Sequence, residues 1–148
     1  MIWGLVLAIH ILSAVIWVGG MFFALLVLRP SLGVLEPSRR LALHGQVFRR
    51  FFLIVWHVMP LALLTGYAML LGVYGGFAGA DWSVNVMQLL GLIMAAVFVV
   101  IFVGPWRSFR RDPAGGGTVR AVETIRLLIT VNLVLGLLTV TVAALGWR

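Results

Sequence analysis

The 148-residue chain contains no cysteine, no lysine and only four acidic residues. Without cysteine there are no disulfides, no thiolate metal sites and no cysteine nucleophile. The acids are Glu36, Asp81, Asp112 and Glu123, and all lie outside the long apolar runs. Carboxylate catalysis or a carboxylate proton relay within such a run therefore has no residue to use. Charged residues make up only 10% of the chain, against about 25% in soluble domains. That is too little to cover a water-facing surface, so the soluble enzyme classes are set aside. There is no Walker motif, and Gly115-Gly116-Gly117 lacks the strand-then-helix setting of a dinucleotide loop.

What the chain has is apolar length. Hydrophobic residues reach 63%, and the mean hydropathy is +1.16. Four apolar stretches run over about residues 2–28, 51–73, 84–103 and 127–146. Each spans roughly 30 Å of hydrocarbon as a helix. Helices are the form that satisfies every backbone polar group in lipid. The expected fold is all-α, an integral membrane four-helix bundle forming a single transmembrane domain over residues 1–148. A cleaved signal peptide does not fit, because Met1 to Gly4 carries no basic residue and the apolar run is too long.

The charge is +7, and all eleven basic residues are arginine. The pI of about 11.8 is no nucleic-acid signal here, because the arginines flank apolar spans. Arg29, Arg39, Arg40, Arg49 and Arg50 lie between spans one and two. Arg107, Arg110, Arg111, Arg120 and Arg126 lie between spans three and four. The short connection near residues 74–83 has none. The positive-inside rule places the two arginine-rich connections in the cytoplasm, with both termini outside. Residues 38–50 mix Leu41, Val47 and Phe48 with Arg and His, the pattern of a short interfacial helix.

Ionisable residues within spans point to function, since hydrocarbon penalises them. His10 and His57 are the two such residues; His44 sits among the arginines and reads as solvated. His10 lies roughly 12 Å from one face and His57 roughly 10 Å from the other. Their heights differ by less than ~10 Å in a core of about 30 Å, so both could reach one cofactor from adjacent helices. The alternative is a histidine that merely hydrogen-bonds across helices. Ser13, Trp17, Gly20 and Met21 share a helix face with His10, as a porphyrin wall or as ordinary packing. Arg50 and Arg126 stand where haem propionates would be held, or where they simply orient the chain. Asn85, Gln88, Gly91 and Ala95, and Asn132, Gly136, Thr139 and Ala143, form polar-small stripes expected to face the bundle interior. Asn85 and Gln88 also lie at about the depth of His10. Met21, Met59, Met69, Met87 and Met94 are core fillers or soft ligands for Cu(I).

The run His10-Ile11-Leu12, followed by Ile16-Trp17-Val18-Gly19-Gly20-Met21-Phe22-Phe23, resembles the opening of small CopD-family membrane proteins. The block Val47-Phe48-Arg49-Arg50-Phe51-Phe52 is similar to them too. So is Arg126 followed by Asn132-Leu133-Val134-Leu135-Gly136-Leu137. The layout is also similar to HemJ-type protoporphyrinogen oxidases, in which a first-helix histidine, matched in position by His10, is implicated in haem b binding. The HemJ pattern adds a lysine in the third span and an Asn-Glu pair in the fourth. This chain has no lysine, and Leu133 follows Asn132. The CopD resemblance implies copper uptake across a bacterial inner membrane, and both together imply a haem or copper scaffold.

These residues yield three expectations. The first is a haem b protein for electron transfer or membrane oxidoreduction. His10 and His57 would be its axial ligands, Trp17 and Gly20 its wall, Arg50 and Arg126 its propionate anchors, and a small redox partner would serve it. The second is copper handling through His10, Met21, His57 and Met59. The third is an accessory subunit packed against another membrane protein or against copies of itself. All three place the chain in the lipid bilayer and none involves nucleic acid.

Overall fold

The computed structural model describes residues 1–113 and 115–146. Four helices are long and apolar enough to cross a membrane: Ile2–Val34, Pro37–Gly72, Trp82–Arg111 and Thr118–Leu145. No strand occurs among the described residues, as expected where no water can satisfy a sheet edge.

The first crossing is α1 (Ile2–Phe22), prolonged by a wide π-type turn over Phe23–Leu28, a short α2 (Arg29–Ser31) and a tight turn over Leu32–Val34. The widening has a local cause. Pro30 has no N–H to give to Leu26 and its ring crowds that carbonyl. The register shifts, so that the Arg29 N–H reaches Ala24 O, while the Ser31 hydroxyl caps Val27 O at 2.8 Å.

The second crossing corrects the expected division. The segment over residues 38–50 is no separate interfacial helix; it is the first third of α3 (Pro37–Gly72). Pro37 opens this helix, and nothing between Leu41 and Phe51 breaks it. At 1.5 Å per residue α3 is about 54 Å long, so its arginine-bearing start projects beyond the hydrocarbon. The fourth crossing, α6 (Thr118–Leu145), likewise begins nine residues before the expected apolar run, which puts Arg120 and Arg126 on helix instead of loop. The third, α4 (Trp82–Val103), turns at Gly104 into a short α5 (Pro105–Arg111).

The bundle is a ring. Its main contacts are α1 with α3 and α4 with α6, closed by α1 with α6 and α3 with α4. Neighbours run antiparallel, so the two arginine-rich connections meet at one end. That end is plugged by aromatic rings. Phe52 meets Trp106 edge-on at 5.1 Å and Phe98 at 5.8 Å, and Phe48 stacks on Phe52 at 5.7 Å. Phe109 lies on Gly45, tying α5 to the projecting start of α3. The outward faces carry exposed Leu12, Val15, Leu53, Leu64, Leu89 and Val134, a surface that suits lipid and not water.

Close approach of α1 to α3 rests on glycine. A Cβ on Gly20 would stand 2.7 Å from Phe51 Cε2, whereas one on Gly19 would meet nothing within 4 Å. Gly20→Ala is therefore expected to cost about 1–3 kcal/mol through overpacking, and Gly19→Ala close to nothing, in thermal unfolding of the detergent-solubilised protein. Phe51→Leu should restore part of the loss in the Gly20→Ala background; equal behaviour of the two alanine variants would contradict this packing.

Candidate functional site

His10 lies on the inward face of α1, together with buried Ser13, Trp17 and Met21. Its Nδ1 is 2.9 Å from Ala62 O and 3.1 Å from Thr65 Oγ1, both on α3. A carbonyl can only accept, so Nδ1 carries the proton and Nε2 keeps its lone pair. Nε2 has no hydrogen-bond partner among the described residues. The ring fits because position 66 is glycine. A Cβ there would stand 3.2 Å from His10 Cε1 and 3.4 Å from Gln88 Nε2. The histidine, a hydroxyl and a carboxamide therefore gather over Gly66, contributed by α1, α3 and α4.

Further along the bundle the inward groups are thioethers. Met59, Met94 and Met21 are all buried in the single core cluster. Met59 lies seven residues from Gly66 on α3, about 10 Å along the helix axis. Met94 packs its methyl against Gly136, and its sulfur lies 3.9 Å from Thr139 Oγ1. Two buried polar atoms in this region lack partners: Trp17 Nε1 and Asn132 Oδ1.

The structure does not bring His57 to His10. His57 is on the exposed face of α3, its Nδ1–H donating to Leu53 O of its own helix at 2.7 Å. Eight residues separate it from Thr65, so it is about 12 Å lower as well as turned away. The porphyrin wall is corrected too: the notch at Gly20 is filled by Phe51, and Trp17 is packed into the core. Arg50 is exposed at the far end, on the outer surface of α3. The polar stripes face inward only in part. Asn132 and Gly136 are buried, but Ala143 is exposed, and Asn85 donates to Phe77 O of the connecting loop.

A second cluster occupies the arginine-rich end. His44 is half-buried and stacked on Phe48 at 5.5 Å, not simply solvated. Burial first, then the charges of Arg126, Arg40 and Arg29, hold its pKa below the ordinary 6.5. Arg40 is fixed by donating to Gly33 O and Leu35 O.

Sequence reasoning missed Ala62, Thr65 and Gly66 as the partners of His10, and it did not single out Met94. The Thr65-Gly66 pair was the available signal, a hydroxyl beside a notch at a depth comparable to that of His10.

Four crossings, a polar gathering near one end and a lipid-facing exterior define a multi-pass helical membrane protein. The family model for Copper resistance protein D, CopD, matches residues 45–145, about two thirds of the chain. The chain belongs to the CopD family. The match covers α3, from Gly45, through α6; α1 and His10 precede it. No curated protein and no solved structure matches the chain. No group of three or more His, Asp or Glu suited to a metal ion occurs among the described residues.

The His44 environment sets a pH response. In the unfolded chain His44 titrates near 6.5 and in the bundle below it, so on acidification the unfolded state takes up the proton first. Stability is then full above about pH 7 and declines as pH falls through the unfolded value. Thermal unfolding in detergent should show this decline in the native protein and a flatter one in His44→Gln. The same slope in both would assign it to other groups.

Proposed function

We propose that the chain handles copper as cargo, passing Cu(I) through the bundle, with residues 1–148 acting as one transmembrane unit. His10 Nε2 is the receiving ligand, and Met59, Met94 and Met21 are the interior stations. The observation that carries the reading is the His10 ring. It is oriented by Ala62 and Thr65 through Nδ1 and keeps its second nitrogen available. Ligating histidines are commonly held in this way by a carbonyl or carboxylate on the other nitrogen.

The donor set suits this cargo. Thioethers and imidazole bind soft Cu(I), whereas Mg²⁺ and Ca²⁺ want oxygen ligands. A monovalent ion held by neutral ligands leaves one charge to be moved through hydrocarbon; the one carboxylate on a crossing, Glu123, is exposed at the arginine-rich end, away from the thioethers. Membership of a copper-resistance family supports the same reading. His57, exposed to lipid, has no part in it.

Cu(I) uptake into proteoliposomes tests the proposal. His10→Ala, Met59→Leu and Met94→Leu should each reduce uptake about tenfold or more, while His57→Ala leaves it unchanged. Absence of Cu(I) uptake by the native protein overturns the reading. A Soret band that depends on His10 would replace it with the haem b, electron-transfer alternative.

The orientation belongs to the same proposal. The arginine-rich end faces the cytoplasm of a bacterial cell and His10 lies toward the outside, because ten of the eleven arginines lie in the two segments, residues 29–50 and 107–126, that meet at one end. Reporters fused after Leu145 should be periplasmic, and reporters inserted near Arg111 cytoplasmic. The reverse pattern would place His10 on the delivering side.

A further inference from the structure

The arginine-rich end carries more than an orientation signal. A cleft of about 320 Å³ opens there, lined by Arg29, Glu123, Arg126, Leu127 and Thr130. Arg29 comes from the end of the first crossing and Arg126 from α6, so two different crossings place a guanidinium on one opening. Arg29 is among the charges that act on Arg126, and Glu123 is the acid that offsets it. Arg40 and half-buried His44 lie close by on α3. Two arginines thus share the cleft with one carboxylate, leaving one cationic charge in its lining without compensation.

The cleft is also amphipathic. Leu127, 64% exposed, forms part of its wall, and exposed Leu26 and Val27 lie on the crossing that carries Arg29. Thr130, one helical turn from Arg126, donates its hydroxyl to Arg126 O and retains acceptor and steric roles only. Charged groups at the rim and apolar surface running toward the hydrocarbon match a molecule with an anionic head and acyl chains. Free phosphate would use the arginines and leave the apolar wall bare.

We propose that this cleft is a binding site for the phosphate group of an anionic phospholipid in the leaflet at the arginine-rich end, with Arg29 and Arg126 as its two donors. Guanidinium pairs bind phosphate oxygens through paired hydrogen bonds, and a basic cleft between crossings is a site where a lipid head settles. A zwitterionic head brings its own cation into a cleft whose lining already carries one in excess. The site lies at the opposite end of the bundle from His10 and does not rest on the copper reading.

Native mass spectrometry of the full chain in detergent, titrated with phosphatidylglycerol or phosphatidylcholine, provides the test. The native protein should retain one phosphatidylglycerol in preference to phosphatidylcholine. R29Q/R126Q should weaken that retention about tenfold or more. R39Q/R49Q removes the same charge from exposed positions of α3 outside the cleft and should stay within about twofold of the native protein. R29K/R126K, which keeps the charge and is the milder change, should retain most of the binding, so a folding defect in the glutamine variant does not decide the matter. Equal losses in the two glutamine variants, or equal retention of the two lipids, overturn the proposal. Displacement of the lipid by millimolar inorganic phosphate would assign the cleft to the free anion and overturn the lipid source.

Discussion

The contact of α1 with α3 governs the rest of the bundle. Three glycines let the two helices close on each other at three heights. Phe51 fills the notch at Gly20, His10 lies over Gly66, and Trp3 fills the notch at Gly72. In a bilayer the hydrophobic effect supplies no force between helices, since lipid is as apolar as the side chains. Close packing has to supply it, and close packing needs places without a Cβ. The same approach brings Ala62 O and Thr65 within reach of His10. A bulkier side chain at position 66 would push the ring away from the carbonyl that sets its tautomer.

The two ends of the bundle follow different chemistry. Near His10 the interior groups are neutral and polar, with Gln88 and Thr65 alongside, and the loop above is held by Asn85. Midway the lining turns to thioether. At the far end Phe48, Phe52, Phe98 and Trp106 close the interior, and the charges lie outside that plug. Cationic groups are thereby kept off the axis and placed where water and lipid heads solvate them. The polar gathering around His10 bounds the buried thioethers at one end and the aromatic plug bounds them at the other.

The charged rim also departs from a uniformly solvated surface. Arg40 is tied down by two carbonyls, His44 is stacked and depressed in pKa, and Arg126 is partly buried next to Arg29. By contrast Arg39, Arg49 and Arg50 stand free on the exposed side of α3. The same residue type therefore does two things at one end. Some arginines stand exposed on the outer side of α3, and at one cleft Arg29 and Arg126 gather beside Glu123.

The residues by themselves determined the all-helical class, the four crossings and the arginine-rich end. Those follow from length and hydropathy, which need only the thickness of the bilayer and the cost of charge within it. The inward face of α1 was legible as well, because Ser13, Trp17 and Met21 recur on one side together with His10. Tertiary structure alone decided what His10 meets and that His57 turns to the exposed face of α3, where it bonds only to Leu53 O of its own helix among the described residues. In a span that is apolar on every side, hydrophobic periodicity does not mark the buried face, so a single histidine gives no indication of its direction. Tertiary packing also put Phe51 into the notch at Gly20, extended α3 through its arginine-rich start, and joined Arg29, Arg40, His44 and Arg126 from three separate segments. Such groupings depend on the heights at which antiparallel helices settle, and those heights are set by interlocking side chains far apart in the chain.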